Sequence, residues 1–151
     1  MTIKHPAPID KQLCFALYST SLAMTQLYKP LLEPLGLTYP QYLVMLILWE
    51  EDGVSLKSIG AQLNQKSGSL TPVLKRLEQD GFVERVRDTQ DERTLNIKLT
   101  QKGEALRQPA SKVGPIVADA CGFEMNELAA LKTCLEKLRD NLLESEISLE
   151  C

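Results

Sequence analysis

The chain has 151 residues, 44% of them hydrophobic and 25% charged, with a formal net charge of −3. That length suits one compact domain, or one domain with an added oligomerisation segment, and the apolar content excludes wholesale disorder. The longest apolar run, "YLVMLILW", has eight residues and is too short to cross a bilayer. No N-terminal stretch joins a basic start to an apolar run and a small-residue cleavage site, so a soluble cytoplasmic protein with no membrane partner is expected.

The charge is unevenly spread. Residues 55–103 carry nine Lys/Arg against six Asp/Glu, whereas residues 1–54 and 104–151 are both net acidic. A basic middle between acidic ends fits a nucleic-acid surface inside a neutral-looking protein, although chance unevenness gives the same pattern. Cysteines stand at 14, 121, 134 and 151, with no CxxC pair and a single histidine, His5. A zinc site is therefore not expected, nor any other metal or cofactor. In a reducing compartment these thiols start free, so a disulfide would be a signal and not a staple.

In chain order, the first predicted helix runs from about Ile9 towards Leu35, with Leu13, Leu17, Met24, Leu27, Tyr28 and Leu31 at helical spacing. Pro30 and Pro34 should bend or interrupt its end, and Gly36 makes the exit. Thr38 with Gln41 reads as a capping box, with Pro40 in the first turn of a helix that reaches about Glu51 and is apolar around most of its circumference. Ser55 caps a third helix that buries Leu56, Ile59 and Leu63. A fourth begins near Ser67 to Ser69, turns Leu70, Val73, Leu74 and Leu77 inward and ends at Asp80-Gly81. Two short strands, "FVERVR" and "TLNIKLT", flank the charged tip "DTQDER". Helix resumes after Thr100, with breaks or bends at Pro109 and Pro115. A last helix repeats Leu128, Leu131, Leu135, Leu138 and Leu142 as an a/d seam.

This order predicts a mainly α fold with a small β-hairpin: a winged helix-turn-helix over 38–103. Residues 1–37 and 104–151 would form a helical dimerisation region, the whole being one intertwined unit.

A helix entering the major groove should open with small polar residues and carry cations beside them, for close backbone approach and phosphate neutralisation. "KSGSLTPVLKR" supplies Lys66, Ser67, Ser69, Thr71, Lys75 and Arg76 in that arrangement, and Pro72 with the Thr71 methyl would pack on a thymine methyl. Arg93 at the hairpin tip suits a narrow minor groove, with Asp91 expected to hold its guanidinium through a bidentate pair. Arg85 and Arg87 are expected to reach flanking phosphates. The bland alternatives are an ordinary solvated helix face and a tip charged for solubility.

"GFVERVRDTQDERTLNIKLTQKG" resembles the wing signature of the MarR family of bacterial transcriptional regulators: Asp91 and Arg93 at the tip, then Leu99, Thr100 and Gly103 at the exit. "LCFALYSTS", "LYKPLLEPLGLTYPQYLVMLILWE" and "SGSLTPVLKRLEQDGFVER" resemble its organic hydroperoxide resistance regulators (OhrR). The resemblance covers nearly the whole chain. It implies a non-enzymatic repressor acting as a homodimer on near-palindromic double-stranded operator DNA, with organic hydroperoxides as inducing oxidants.

Taken alone, Cys14 reads either as an inert buried thiol or as an oxidant-sensitive one. Cys14 and Tyr28 are fourteen residues apart, about 21 Å along one continuous helix, so they would meet only across a dimer. The resemblance implies that arrangement, with Tyr28 and Tyr39 donating hydrogen bonds to the other subunit's Cys14 and favouring its charged form. Tyr18, Phe15, Leu17 and Leu22 would line an apolar mouth that prefers organic peroxides to hydrogen peroxide. Oxidation gives a sulfenic acid, which a second thiol captures as a disulfide. The location of Cys121 resembles that of the family's partner thiol, with Cys134 and Cys151 as the alternatives.

Three readings follow: a peroxide-sensing repressor that leaves its operator when Cys14 is oxidised, a repressor released by a small aromatic ligand with Cys14 structural, and a thiol peroxidase. The last lacks the peroxidatic pattern Pro-x-x-x-Thr-x-x-Cys around Cys14.

Overall fold

A computed structural model describes residues 5–145; Cys151 lies outside the described residues. The chain is mainly helical with one antiparallel hairpin, the predicted fold class. It divides into two compact units, Met1–Gly114 and Pro115–Cys151.

The first unit opens with a 3-10 turn, Ile9–Lys11, followed by α1 (Leu13–Leu32). The start is later than the periodicity suggests: Gln12 is extended, and its side-chain amide donates to the Ala7 carbonyl at 2.9 Å. Cys14 is therefore the second residue of α1, inside its first turn. Pro30 lies inside the helix and does not end it, although its missing N–H removes one backbone bond. The chain leaves through a 3-10 turn, Glu33–Leu35, and through Gly36 at φ 72°, where the Leu37 N–H reaches back to the Leu32 carbonyl.

The predicted capping box closes α2 (Tyr39–Glu50): Gln41 Oε1 accepts from the Thr38 N–H at 2.8 Å, and Thr38 Oγ1 accepts from the Gln41 N–H. Val44, Met45, Leu48 and Trp49 are buried, which makes α2 the centre of the core. Ser55 caps α3 (Leu56–Leu63), and α4 (Ser67–Gln79) packs Leu70, Leu74 and Leu77 inward; Leu56, Leu63 and Val73 are only half-buried. The tight turn between α3 and α4 places Asn64 at φ 54°, and a Cβ on Gly60 would lie 2.8 Å from the Gln65 carbonyl oxygen.

Strands β1 (Val83–Arg87) and β2 (Leu95–Leu99) pair with Val83 opposite Leu99 and Arg85 opposite Ile97. A single bridge, Ser55 to Asn96, ties the hairpin to the α3 entrance. Asp52 adds a clamp, its Oδ1 accepting from the Leu99 N–H at 2.8 Å. Beyond Thr100 the helix comes in pieces: α5 (Gln101–Ala105), α6 (Arg107–Ala110) and α7 (Val113–Ala120). Pro109 and Pro115 lie inside the pieces, and the breaks fall at Leu106 and Ser111–Lys112. A proline ring crowds the carbonyl four residues earlier, so the interruption appears upstream of it. Trp49 Nε1–H donates to the Gly103 carbonyl at 3.0 Å, and a Cβ on Gly103 would stand 2.1 Å from the Phe82 carbonyl oxygen. This contact locks the start of α5 onto α2 and the hairpin base.

In the second unit, α8 (Met125–Glu144) carries the leucine seam and has no buried residue. Leu131, Leu135 and Leu142 are exposed, as are Leu13, Phe15, Tyr18 and Leu22 on α1 in the first unit.

Candidate nucleic-acid interface and thiol site

The outer face of α4 presents Ser67, Ser69, Thr71, Pro72, Lys75 and Arg76, all exposed, with Lys66 just before it. Lys66, not a serine, is the N-cap residue, and its side chain makes no capping bond. The Thr71 hydroxyl donates to the Ser67 carbonyl at 3.0 Å, which leaves its methyl as the outward contact group.

The hairpin tip is organised by its own polar groups. Asp88 Oδ1 accepts from the Gln90 N–H at 2.8 Å, and Asp88 Oδ2 accepts from the Asn96 amide at 3.3 Å. These bonds hold the Asp88 carboxyl below its ordinary range, the Gln90 N–H contributing most. Asp91 departs from expectation. Its carboxylate accepts from the Arg93 backbone N–H at 3.0 Å and from the Thr94 hydroxyl at 3.4 Å, an Asx-type turn and not a guanidinium clamp. The local backbone donors are closer than the flexible guanidinium. The Arg93 side chain stays exposed at the tip, with no ion pair among the described residues.

Arg85 and Arg87, expected to reach flanking phosphates, both have partners within the chain. Both lie on the strand face shared with buried Val83, towards the helices. Arg85 forms a two-pronged pair with Glu78 of α4, and Arg87 donates to the Glu92 carbonyl at 2.9 Å. The pair holds the Glu78 carboxyl below its usual value, chiefly through the Arg85 hydrogen bond, and raises that of Arg85. Sequence reading missed Glu78, Asp88 and Asp52 as organisers of this surface. Only the short-range Asp88 turn carries a local signal, an Asp two residues before its backbone partner.

At the thiol site, Cys14 is exposed on the first turn of α1. Phe15, Tyr18 and Leu22 are exposed beside it and Leu17 is half-buried. Tyr28 stands on the last stretch of the same unbroken helix, so it does not meet Cys14 within one chain. It meets Tyr39 instead: their ring centroids are 4.9 Å apart, and Tyr28 and Tyr42 are 5.6 Å apart. Burial pushes the Tyr39 phenol up from its ordinary value, and Tyr42 likewise, with the neighbouring Tyr39 charge adding to the effect. Among the described residues the Tyr39 hydroxyl has no hydrogen-bond partner, and a groove lined by Thr25, Lys29, Glu33, Leu37 and Thr38 opens beside it. Cys121, half-buried, and exposed Cys134 belong to the second unit. No group of three His, Cys, Asp or Glu side chains among the described residues is placed to hold a metal, and no single helix there is long and apolar enough to cross a membrane.

A family model described as "Transcriptional regulator SarA/Rot" matches residues 26–108. The chain is 47% identical over 137 residues to the HTH-type transcriptional regulator TtmR of Methylorubrum extorquens (strain PA1), covering 91% of this chain and 70% of that protein. It is 42% identical over 134 residues to the organic hydroperoxide resistance transcriptional regulator of Bacillus subtilis (strain 168), covering 89% and 91%. A mutant MarR from E. coli, complexed with operator DNA, superposes with TM-score 0.76 at 26% identity, over 83% of this chain and 92% of that one. This chain belongs to the MarR family. Within it, the similarity is to the organic hydroperoxide resistance regulators. This MarR-family regulator is also similar to AbfR. Reduced AbfR bound to DNA gives TM-score 0.73 at 39% identity, covering 91% of this chain and 96% of that one. Disulfide-formed AbfR gives 0.59 at 41%, covering 89% of each.

Proposed function

We propose that this regulator is a homodimeric DNA-binding repressor that senses organic hydroperoxides through Cys14 and leaves its operator when oxidised. The observation that carries the reading is the separation of thiol and phenols on α1. Cys14 opens the helix, while Tyr28 closes it and packs against Tyr39, about 21 Å away. A thiol-phenol site therefore needs two copies, with the first helices running past each other. The uncovered apolar side chains of α1 and α8 supply surface for such a dimer. In this reading residues 1–37 and 104–151 dimerise, while 38–103 read DNA.

Lys66 and the α4 residues Ser67, Ser69, Thr71, Pro72, Lys75 and Arg76 face the major groove, and Arg93 enters the minor groove. Two such heads would sit about 34–36 Å apart on successive turns of one duplex face. At the sensor, the partner subunit's phenols donate to the Cys14 sulfur. The thiolate attacks one peroxide oxygen: an S–O bond forms, the O–O bond breaks, and the departing alkoxide takes a proton and leaves as an alcohol. Sulfur is oxidised by two electrons to a sulfenic acid. The Cys121 thiol of the partner subunit then attacks the sulfenic sulfur: an S–S bond forms, the S–O bond breaks, and the departing hydroxide takes the thiol proton and leaves as water. The AbfR structures, solved reduced on DNA and as a disulfide form, support this two-state scheme.

The test is release of bound DNA by cumene hydroperoxide. Wild type is expected to release it and Cys14→Ser to retain it; equal release from both overturns the thiol switch. Non-reducing electrophoresis of the Cys121→Ser, Cys134→Ser and Cys151→Ser variants then identifies the capturing thiol.

A second reading has its own observation. A cavity of about 310 Å³ lies against α2, lined by Tyr42, Leu46, Trp49, Arg107 and Ser111. Aromatic walls with one guanidinium suit a small aromatic acid. Release by such ligands under fully reducing conditions, undiminished in Cys14→Ser, would favour it.

A further inference from the structure

Glu78 lies in the last turn of α4, and Arg85 lies at the middle of β1. Arg85 Nε donates to Glu78 Oε2 at 2.7 Å and its terminal NH₂ to Oε1 at 3.2 Å, so the guanidinium plane and the carboxylate engage as a fork. Among the described residues this is the ion pair that joins the recognition helix to the wing; the others join residues of one helix or of adjacent short helices.

The wing needs such a fastening. Its base is pinned by backbone bonds, the Phe82 N–H to the Leu77 carbonyl and the Thr100 N–H to the Phe82 carbonyl, both at 3.0 Å. Beyond that the wing is a two-stranded ribbon held by one bridge to Ser55 and by the Asp52 clamp on Leu99, both on the β2 side, so that among the described residues β1 has no further tie of its own, and two-stranded ribbons twist easily. From Arg85 to the start of the tip at Asp88 is about 10 Å of strand, so a small rotation at the base is enlarged at Arg93.

We propose that Glu78 is a positioning residue for DNA recognition: with Arg85 it braces the wing against α4 and sets how far the Arg93 tip stands from the serine-rich helix start. Arg85 then serves the brace and is not a phosphate ligand. The proposal rests on the DNA-binding reading above. Arg85 leaves the sheet on the face shared with Val83 and with Ile97 across from it, both buried, and that face is turned to the helices. An exposed ion pair of this kind contributes little to stability, but a fork anchored on two elements restricts their relative orientation.

The experiment uses duplexes selected from a random-sequence pool by the reduced wild-type protein. Failure to select any duplex sinks the DNA-binding reading itself and is thereby distinguished from failure of the brace. With selected duplexes, affinity is measured across a salt series for Glu78→Ala, Arg85→Ala, Arg85→Lys, the double alanine variant and the swap Glu78→Arg with Arg85→Glu.

A brace predicts that each alanine variant binds about tenfold more weakly, that the double variant is no weaker than either, and that Arg85→Lys loses affinity although it keeps the charge. The salt slope stays at the wild-type value, and Arg93→Ala costs less in the Glu78→Ala background than in wild type. The swap restores most of the affinity; if it does not fold, the alanine cycle and the slopes still decide. A slope lowered by about 0.9 in Arg85→Ala identifies a phosphate ligand and overturns the proposal. Unchanged or tighter binding by Glu78→Ala overturns it equally.

Discussion

Tyr28 and Tyr39 pack with their rings tilted by 47° and 4.9 Å between centroids, one from the end of α1 and one from the first residue of α2, with the 3-10 turn and Gly36 folding the chain back between them. Because burial pushes the Tyr39 phenol up, its O–H remains a donor throughout the neutral range. Tyr39→Phe is expected to slow loss of the Cys14 thiol to cumene hydroperoxide about tenfold or more, the size of one hydrogen bond to a charged group. Stopped-flow thiol titration checks it, with Cys14→Ser as the blank. The sign of the pH effect follows. A phenol raised by folding contributes stability that is complete below the ordinary tyrosine value and lost as pH rises through the raised one. Ultraviolet titration should show Tyr39 and Tyr42 ionising later than free tyrosine.

Arg93 is the exposed cation of a tip whose two aspartates are already engaged with backbone. Arg93→Ala is expected to weaken binding most on duplexes with a narrow A·T minor groove. If Arg93 also neutralises one phosphate, the salt slope falls by about 0.9. Fluorescence anisotropy on A·T-rich and G·C-rich flanks separates the two effects.

Asp88 ties both ends of the tip, and its carboxyl is held below the usual range by the Gln90 N–H first and the Asn96 amide second. A carboxylate lowered by folding contributes above its unfolded value, and that contribution is lost as pH falls through the lowered one. The tip is therefore expected to stay ordered at pH 5 and to loosen only below the ordinary carboxylate range. Asp88→Asn should loosen it at neutral pH. The amide proton shift of Gln90 reports both.

Gly103 has no space for a side chain: a Cβ would meet the Phe82 carbonyl oxygen at 2.1 Å. Gly103→Ala is expected to destabilise at or above the top of the range for overpacking, about 1–3 kcal/mol. Trp49→Phe, which leaves the Gly103 carbonyl without its buried donor, should cost about 1–3 kcal/mol. Urea unfolding measures both.

Local rules made much of this structure legible. The Thr38–Gln41 box, the Ser55 cap and the alternating strands all depend on neighbours within four residues, and all form. The start of α1 was obscured because Gln12 is not a capping residue and Ile9–Lys11 imitates a helical turn. That shift puts Cys14 closer to the helix end than periodicity suggested. The links that organise the reading surface were not legible. Glu78 to Arg85 crosses a helix-turn-strand junction, and Asp52 to Leu99 and Trp49 to Gly103 span 47 and 54 residues. The adjacency of Tyr28 and Tyr39 has no periodic signature either; only resemblance singled the two out.

The interruptions at Leu106 and Ser111–Lys112 carry a mechanical consequence. Trp49, Gly103 and Phe82 key α2, the hairpin base and the start of α5 together. Between Gly103 and Gly114 the regular α ladder gives way at these two places to shared and three-residue bonds, the Ser111 N–H divided between the Arg107 and Gln108 carbonyls and the Lys112 N–H on the Pro109 carbonyl at 3.4 Å, and a bend there breaks the fewest regular bonds.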